Sequence, residues 1–156
     1  MRFLCDEMLV RLARLLRTAG YDTYLASDGQ KDDELLALAR DENRILLTRD
    51  KKLARRAHPR TLVVEGRGAI AEAEHLAARL PIDWSLAPFS RCVVDNTPLR
   101  DATPDEVVRM PPQAAELGGP FRACPACARV YWPGSHVKRM AARLDGLAQK
   151  PPQALL

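Results

Sequence analysis

The chain has 156 residues, of which 47% are hydrophobic and 28% charged, and its formal net charge is +4. This length suits one medium domain, or a compact domain of about 85 residues with a small appendage. No apolar run approaches the ~20 residues of a membrane span. Asp6 interrupts the first apolar run, so a signal peptide is not expected, and the sequence predicts a cytoplasmic protein.

The first 80 or so residues alternate between strand patterns and helix patterns. Strands are predicted over residues 2–6, 21–26, 45–48 and 61–64. Helices are predicted to begin near Met8, Asp32, Lys51 and Ala69, and Gly20 ends the first of them. This alternation is typical of an α/β fold in which a doubly wound parallel sheet is covered by helices.

The pattern changes after residue 80. Residues 81–88 form a connector, and the remainder of the chain is rich in proline and carries cysteines, with one further helix predicted over Val137–Leu147. We therefore predict a core at residues 1–86, a small module at 87–145 and a tail at 146–156.

Acidic residues stand at the ends of two predicted strands. Asp50 follows Ile45–Thr48, and Asp6 closes the first strand. Parallel strands end at the same edge of a sheet, where ligands of α/β proteins collect, so these carboxylates are expected to lie close together. Asp32, Asp33 and Glu34 open the intervening helix and could add ligands.

Oxygen ligands of this kind suit Mg²⁺ or Mn²⁺, which lower the pKa of a bound water and stabilise the oxygens of a phosphoryl displacement. Simpler interpretations remain open. Asp50 could only cap the next helix, and acids in a first helical turn are favoured by the helix dipole. The sequence has no glycine-rich phosphate loop, and no histidine is placed with a serine or cysteine in a base–nucleophile arrangement.

Positive charge is concentrated in two stretches. Residues 119–150 contain six cations and a single acid, Asp145, and a second cluster directly follows Asp50. The second cluster comprises Lys51, Lys52, Arg55, Arg56 and Arg60. Basic clusters beside an acidic centre suit a polyanion that approaches bound metal, although a solvated helix face explains the second cluster equally well.

Cys124-x-x-Cys127 has the spacing at which two thiolates chelate one tetrahedral ion. Cys5 lies within the first strand and is expected to be a core residue. Tyr131, Trp132 and His136 alternate with Arg129, Lys138 and Arg139, which is typical of a surface that stacks RNA bases and contacts phosphates. Alternatively, the two aromatic residues form the small core of the module.

Several of these motifs together resemble one family. They are Asp6-Glu7-Met8-Leu9, Leu16-Arg17-x-x-Gly20-Tyr21-Asp22, Asp32-x-Glu34-Leu35-Leu36-x-x-Ala39, Asn43-Arg44-Ile45-Leu46-Leu47-Thr48-Arg49-Asp50, Arg91-Cys92, Cys124-Pro125-x-Cys127 and Tyr131-Trp132-Pro133-Gly134-Ser135-His136. Over residues 1–142 the chain resembles the PIN-like ribonuclease module of the Mut-seven C-terminal family, whose members carry a zinc ribbon after the nuclease core. The resemblance implies a PIN-like three-layer α/β/α core with a central parallel sheet and a small zinc-ribbon-like module. It also implies that Asp6, Asp32 or Asp33, and Asp50 hold Mg²⁺ or Mn²⁺ for RNA cleavage.

The chain departs from the family at one ligand position. The family pattern has a second cysteine pair beginning at Cys92, but the fourth ligand position is Asp95 here. Three interpretations are open: zinc bound through Asp95, zinc completed by His136 or water, or a ribbon that has lost its metal. A carboxylate can ligate Zn²⁺, so a site made of Cys92, Asp95, Cys124 and Cys127 is chemically allowed.

The sequence thus predicts a metal-dependent ribonuclease, and the main alternative is an RNA-binding or toxin-like regulatory module with weak or no nuclease activity. A third possibility is a nuclease that acts on DNA. Predicted catalytic residues are Asp6, Asp32, Asp33 and Asp50. Predicted RNA-binding residues are Thr48, Arg49, Lys51, Lys52, Arg55, Arg129, Trp132, His136 and Arg139. RNA is the expected partner, and no membrane association is expected.

Overall fold

The computed structural model describes residues 1–56 and 60–150. Ala57, the predicted end of one helix, and the part of the predicted tail beyond Lys150 lie outside the described residues. No helix in the described ranges is long and apolar enough to cross a bilayer.

A four-stranded parallel sheet forms the centre of the molecule. Its strands are β1 (Arg2–Cys5), β2 (Asp22–Leu25), β3 (Ile45–Thr48) and β4 (Thr61–Val63). They pair in the order β2-β1-β3-β4, so β1 and β3 are neighbours in the middle. The helices between and after them are α1 (Val10–Thr18), α2 (Asp32–Asp41), α3 (Lys51–Arg56) and α4 (Ala69–Ala77). The predicted α/β class with a central parallel sheet is confirmed.

Helices cover both faces of the sheet because successive strand residues point to opposite sides. Phe3 and Cys5 of β1 pack with α1 and α4 on one face, whereas Leu4 packs with Leu35 and Leu53 of α2 and α3 on the other. Cys5 is fully buried, as expected of a core residue. The chain thus buries an apolar layer on each side of the strands that carry Asp6 and Asp50.

The second half contains a small antiparallel sheet. It consists of β5 (Arg100–Asp101), β6 (Arg122–Ala123) and β7 (Val130–Tyr131), in that order. Two short helices that the sequence analysis did not predict, α5 (Pro104–Val108) and α6 (Pro112–Ala115), lie between β5 and β6. Reciprocal capping between Thr103 and Glu106 begins α5, so the Thr103-Pro104-x-Glu106 spacing was its signal in the sequence.

The C-terminal helix α7 (Ser135–Ala148) packs on the first half of the chain. Leu144 and Leu147 are buried in the same apolar cluster as Phe3, Leu76 and Trp84. The predicted helix over Val137–Leu147 is confirmed in a slightly longer form. By its packing, α7 belongs to the core, although it follows the cysteine-bearing segment in the chain.

Replacing Leu144 by alanine should lower the free energy of unfolding of the whole protein by about 2–5 kcal/mol, because it leaves a cavity in the shared core. Equilibrium unfolding in urea measures this loss. Arg143→Ala on the exposed face of the same helix is the matched control and should change stability little. Equal, small effects of both substitutions would show that α7 does not contribute to core stability.

Candidate active site and metal centre

Asp6 is held rigidly at the carboxyl end of β1. Its side chain is only 6% exposed. One carboxylate oxygen accepts the Met8 amide at 3.0 Å, and the other accepts the Arg49 amide at 3.0 Å and the hydroxyl of Thr48. These three donors compensate for the burial of the carboxylate and fix its orientation.

Thr48 also connects Asp6 to Asp50. The hydroxyl that donates to Asp6 accepts the Asp50 amide at 2.9 Å. The carboxylate of Asp50 accepts the amides of Lys52 at 2.6 Å and Leu53 at 3.3 Å, so it caps α3. Only Oδ1 makes these bonds, and Oδ2 of Asp50 accepts no hydrogen bond from the described residues. Asp50 therefore does cap α3, and its exposed carboxylate still has Oδ2 available for a ligand.

Asp32 and Asp33 are engaged by a cation. Both lie in the first turn of α2, and both pair with the guanidinium of Arg56 at the end of α3, Asp32 at 3.0 Å. Within the described ranges, they do not join Asp6 and Asp50 in a group of three whose ligand atoms lie within 4.8 Å of one another. The structure thus places these acids against α3, where one arginine pairs with both of them.

Two matching turns form the cysteine cluster. The Asn96 amide donates to the Cys92 carbonyl, and the Ala128 amide donates to the Cys124 carbonyl, each at 3.0 Å. Asn96 and Ala128 both have left-handed backbone conformations, with φ of 71° and 57°. Asp95 therefore occupies in the first turn the position that Cys127 occupies in the second.

The four side chains fit a tetrahedral ion. Their ligand atoms all lie within 4.8 Å of one another. Zinc with Zn–S bonds of about 2.3 Å and a Zn–O bond of about 2.1 Å separates two sulfurs by about 3.8 Å and a sulfur from the oxygen by about 3.6 Å. The Sγ atoms of Cys92 and Cys127 are 3.7 Å apart, and Cys124 Sγ lies 3.3 Å from the nearer Asp95 oxygen. The donor set and its spacing can therefore bind a metal such as zinc.

A comparison with known protein families shows which family the chain belongs to. The model of the Mut7-C RNAse domain matches residues 1–144. The chain belongs to the Mut7-C RNase family. No curated protein and no solved structure matches it significantly. Membership confirms the suspected family and supports a ribonuclease-type function, whereas the PIN-like character of the core stays a prediction.

The predicted RNA contacts of this Mut7-C RNase domain differ in exposure. Thr48 is fully buried, so its hydroxyl serves Asp6 and Asp50 from inside the protein. Trp132 is half-buried. Its indole nitrogen lies so close to Gly134 that a Cβ added to this glycine would be only 2.8 Å from it. The remaining predicted contact residues are exposed: Arg49, Lys51, Lys52, Arg55, Arg129, His136 and Arg139.

Tyr131 contributes to the cysteine cluster and not to an open surface. Its hydroxyl lies 3.1 Å from Cys92 Sγ. Burial, followed by the contact with Cys92, raises the pKa of this phenol. The hydroxyl of Tyr131 therefore lies against a member of the cluster, and His136 is not among the clustered ligand atoms in the described residues.

Glu72 is a site residue that the sequence analysis missed. It lies in the first turn of α4, is 5% exposed, and has Arg49 Nη1 at 3.9 Å as its ion-pair partner. Burial raises the pKa of its carboxyl group, Arg49 and Arg11 lower it, and the charge of Asp6 raises it further. Glu72 is therefore a buried acid within electrostatic range of Asp6.

A tight turn brings Glu72 to this edge of the sheet. Gly66 and Gly68 both have positive φ, and a Cβ at Gly66 would lie 2.9 Å from the Glu72 amide nitrogen. Only glycine accommodates this approach without displacement. The signal in the sequence was an acid on the apolar side of a helix, beside Ala73 and Leu76.

Glu72→Gln should stabilise the metal-free protein, because a raised pKa means that the fold disfavours the ionised carboxylate. The increase in the free energy of unfolding should be absent at a pH below the ordinary pKa of glutamate. It should grow as the pH rises through the raised pKa of Glu72 in the folded protein. Urea unfolding at pH 4 and pH 8 measures it. Glu74→Gln, which removes a half-exposed partner of Lys150, is the control without such a gain. Destabilisation by Glu72→Gln at pH 8 would show instead that the ion pair with Arg49 dominates.

Proposed function

We propose that this Mut7-C RNase domain is a metal-dependent ribonuclease that hydrolyses RNA phosphodiester bonds at a centre holding Mg²⁺ or Mn²⁺. The observation that supports this most directly is the Thr48 hydroxyl, which joins the Asp6 carboxylate to the backbone of Asp50. Two acids are thereby held at one edge of a parallel sheet in a member of a ribonuclease family.

The acidic edge suits a hard cation. Asp6 and Asp50 would hold it through carboxylate oxygens that retain unused lone pairs, and Glu72 adds a further negative charge nearby. The ion would supply a water of lowered pKa and a positive charge for the phosphate oxygens. Asp32 and Asp33 would join the centre when RNA phosphates compete for Arg56.

Exposed cations would guide the RNA strand to this edge. Arg49 donates its backbone amide to Asp6 while its side chain lies between Glu72 and solvent. Lys51, Lys52 and Arg55 follow Asp50 on α3 and would contact phosphates. In the second half, Arg129, Trp132, His136 and Arg139 would help to bind RNA by charge and stacking.

One observation favours the alternative function. Arg56 already pairs with both Asp32 and Asp33, so these acids would have to exchange that partner before they could join Asp6 and Asp50. An RNA-binding or toxin-like regulatory module with weak or no nuclease activity needs only the basic surface. RNA cleavage by purified protein distinguishes the two.

Asp50→Asn should abolish cleavage of labelled single-stranded and structured RNA in Mn²⁺ while the fold stays intact, because asparagine caps a helix as well as aspartate does. Asp6→Asn should also abolish cleavage, with some loss of stability, since its amide group replaces an oxygen that accepts hydrogen bonds. Cleavage assays with circular dichroism measure both effects. Asp41→Asn, an exposed acid at the end of α2, is the control. If Asp50→Asn and Asp6→Asn both cleaved RNA at the wild-type rate, the proposed metal centre would be contradicted.

We also propose that Cys92, Asp95, Cys124 and Cys127 hold one structural Zn²⁺. The support is the matching pair of turns and the clustering of four ligand atoms that all lie within 4.8 Å of one another. A carboxylate is a harder ligand than a thiolate, so this site should bind zinc less tightly than a four-cysteine site.

Purified protein should therefore carry about one zinc per chain, as elemental analysis would show. Asp95→Cys should tighten binding in a competition titration with a chelator, and Asp95→Ala should weaken it. Asp105→Ala, an exposed acid on α5, is the control and should leave affinity unchanged. Protein without zinc, whose Cys124 and Cys127 are both freely alkylated, would exclude the site.

A further inference from the structure

The first metal-binding turn is fastened to the edge of the central sheet. Among residues 1–56 and 60–150, strand β2 pairs with β1 and has no strand on its other side. On its other side, the Thr23 amide donates to the side-chain oxygen of Asn96 at 2.9 Å, and the Asn96 side-chain nitrogen donates to Asp22 at 2.7 Å. Asn96, the residue after Asp95, thus takes the place of a neighbouring strand for a fully buried residue of β2.

Arg17 makes the second connection. This α1 residue is only 4% exposed. Its guanidinium donates to the Thr23 carbonyl at 2.9 Å and to the carbonyls of Val93 and Val94 at 3.1 and 2.8 Å. Val93 and Val94 are the two residues between the ligands Cys92 and Asp95. Both backbone groups of Thr23 are therefore satisfied by links to the metal-binding turn, one direct and one through Arg17.

The charge of the cluster suits this arrangement. Three thiolates and a carboxylate outweigh the two positive charges of zinc, so the loaded cluster is anionic, and the buried Arg17 cation lies next to the turn that carries two of its ligands. Without the ion, the same groups repel one another or must bind protons, and the turn loses the ligand bonds that hold Cys92 and Asp95 to the other two ligands. A turn that opens would leave the Thr23 amide and the Arg17 Nη1 group buried without partners, which is costly.

We infer that metal at the cysteine cluster controls the order of the nuclease core, with Asn96 and Arg17 as the positioning residues that transmit its effect to β2. The inference rests on the proposed zinc site and does not depend on catalysis. Since β2 pairs with β1, which ends at Asp6, zinc supply would set the fraction of the protein whose acidic edge is properly formed. The small module is in this view a metal-dependent regulator of the core.

Hydrogen exchange of the Thr23 amide tests the inference in the full chain. Removing zinc with a chelator should speed exchange of this amide by about tenfold or more, as expected when a buried hydrogen bond opens. Amides of α2, on the opposite face of the sheet, should change much less. In Asn96→Gly, exchange at Thr23 should be fast with and without zinc, while about one zinc per chain is retained; glycine accepts the φ of 71° at this position, so only the side chain is lost.

Asn43→Gly is the matched control. Asn43 also has a left-handed conformation, with φ of 52°, but it lies after α2, away from the cluster. In this variant, the zinc dependence of Thr23 exchange should equal that of the wild type. The inference would be overturned if the exchange rate at Thr23 were the same with and without zinc. It would also be overturned if that rate still depended on zinc in Asn96→Gly, or if the chain bound no zinc. None of these readouts involves RNA, so a failure here is separable from a failure of the Asp50→Asn cleavage test.

Discussion

The arrangement of the acidic edge, where Asp6 and Asp50 lie, depends on the hydroxyl of Thr48. It is buried between the two central strands, where it donates to Asp6 and accepts from the Asp50 amide. A valine at this position would keep the β-strand shape but would leave a buried carboxylate short of one donor. Because β1 and β3 are adjacent and parallel, this one side chain can position an acid from each strand.

The sequence predicts the position of an acid in the fold where that position depends on the neighbouring strand. Asp6 directly follows β1, and Asp50 follows β3 after one intervening residue. The alternation of strands and helices implies that such positions meet at one edge. The Cys124–Cys127 pair was likewise visible because chelation needs a short, regular spacing. In each case the chemistry depends on residues that are close in sequence or are brought together by a simple topological rule.

The partners that could not be placed are those chosen by packing. Arg56 reaches Asp32 and Asp33 from another helix, and no spacing rule distinguishes it from Arg55. In the sequence, Glu72 is an ordinary helical acid. In the structure, the turn at Gly66 and Gly68 places it inside the protein. The division of the chain into core and module followed a change in composition, whereas the helix α7 lies after that division in the chain and packs on the first half.

The docking of α7 has a consequence for folding during synthesis. The residues of the sheet emerge from the ribosome well before Leu144 and Leu147, which complete the apolar cluster on one face. Until then, the face formed by Phe3, Leu76 and Trp84 lacks part of its cover, and the nascent chain exposes a surface that chaperones or neighbouring chains could bind. Because the cysteine-bearing segment lies between the sheet and α7 in the chain, its turns are synthesised before that face is closed. The order of synthesis therefore allows a metal ion to reach the four ligands before the last helix packs.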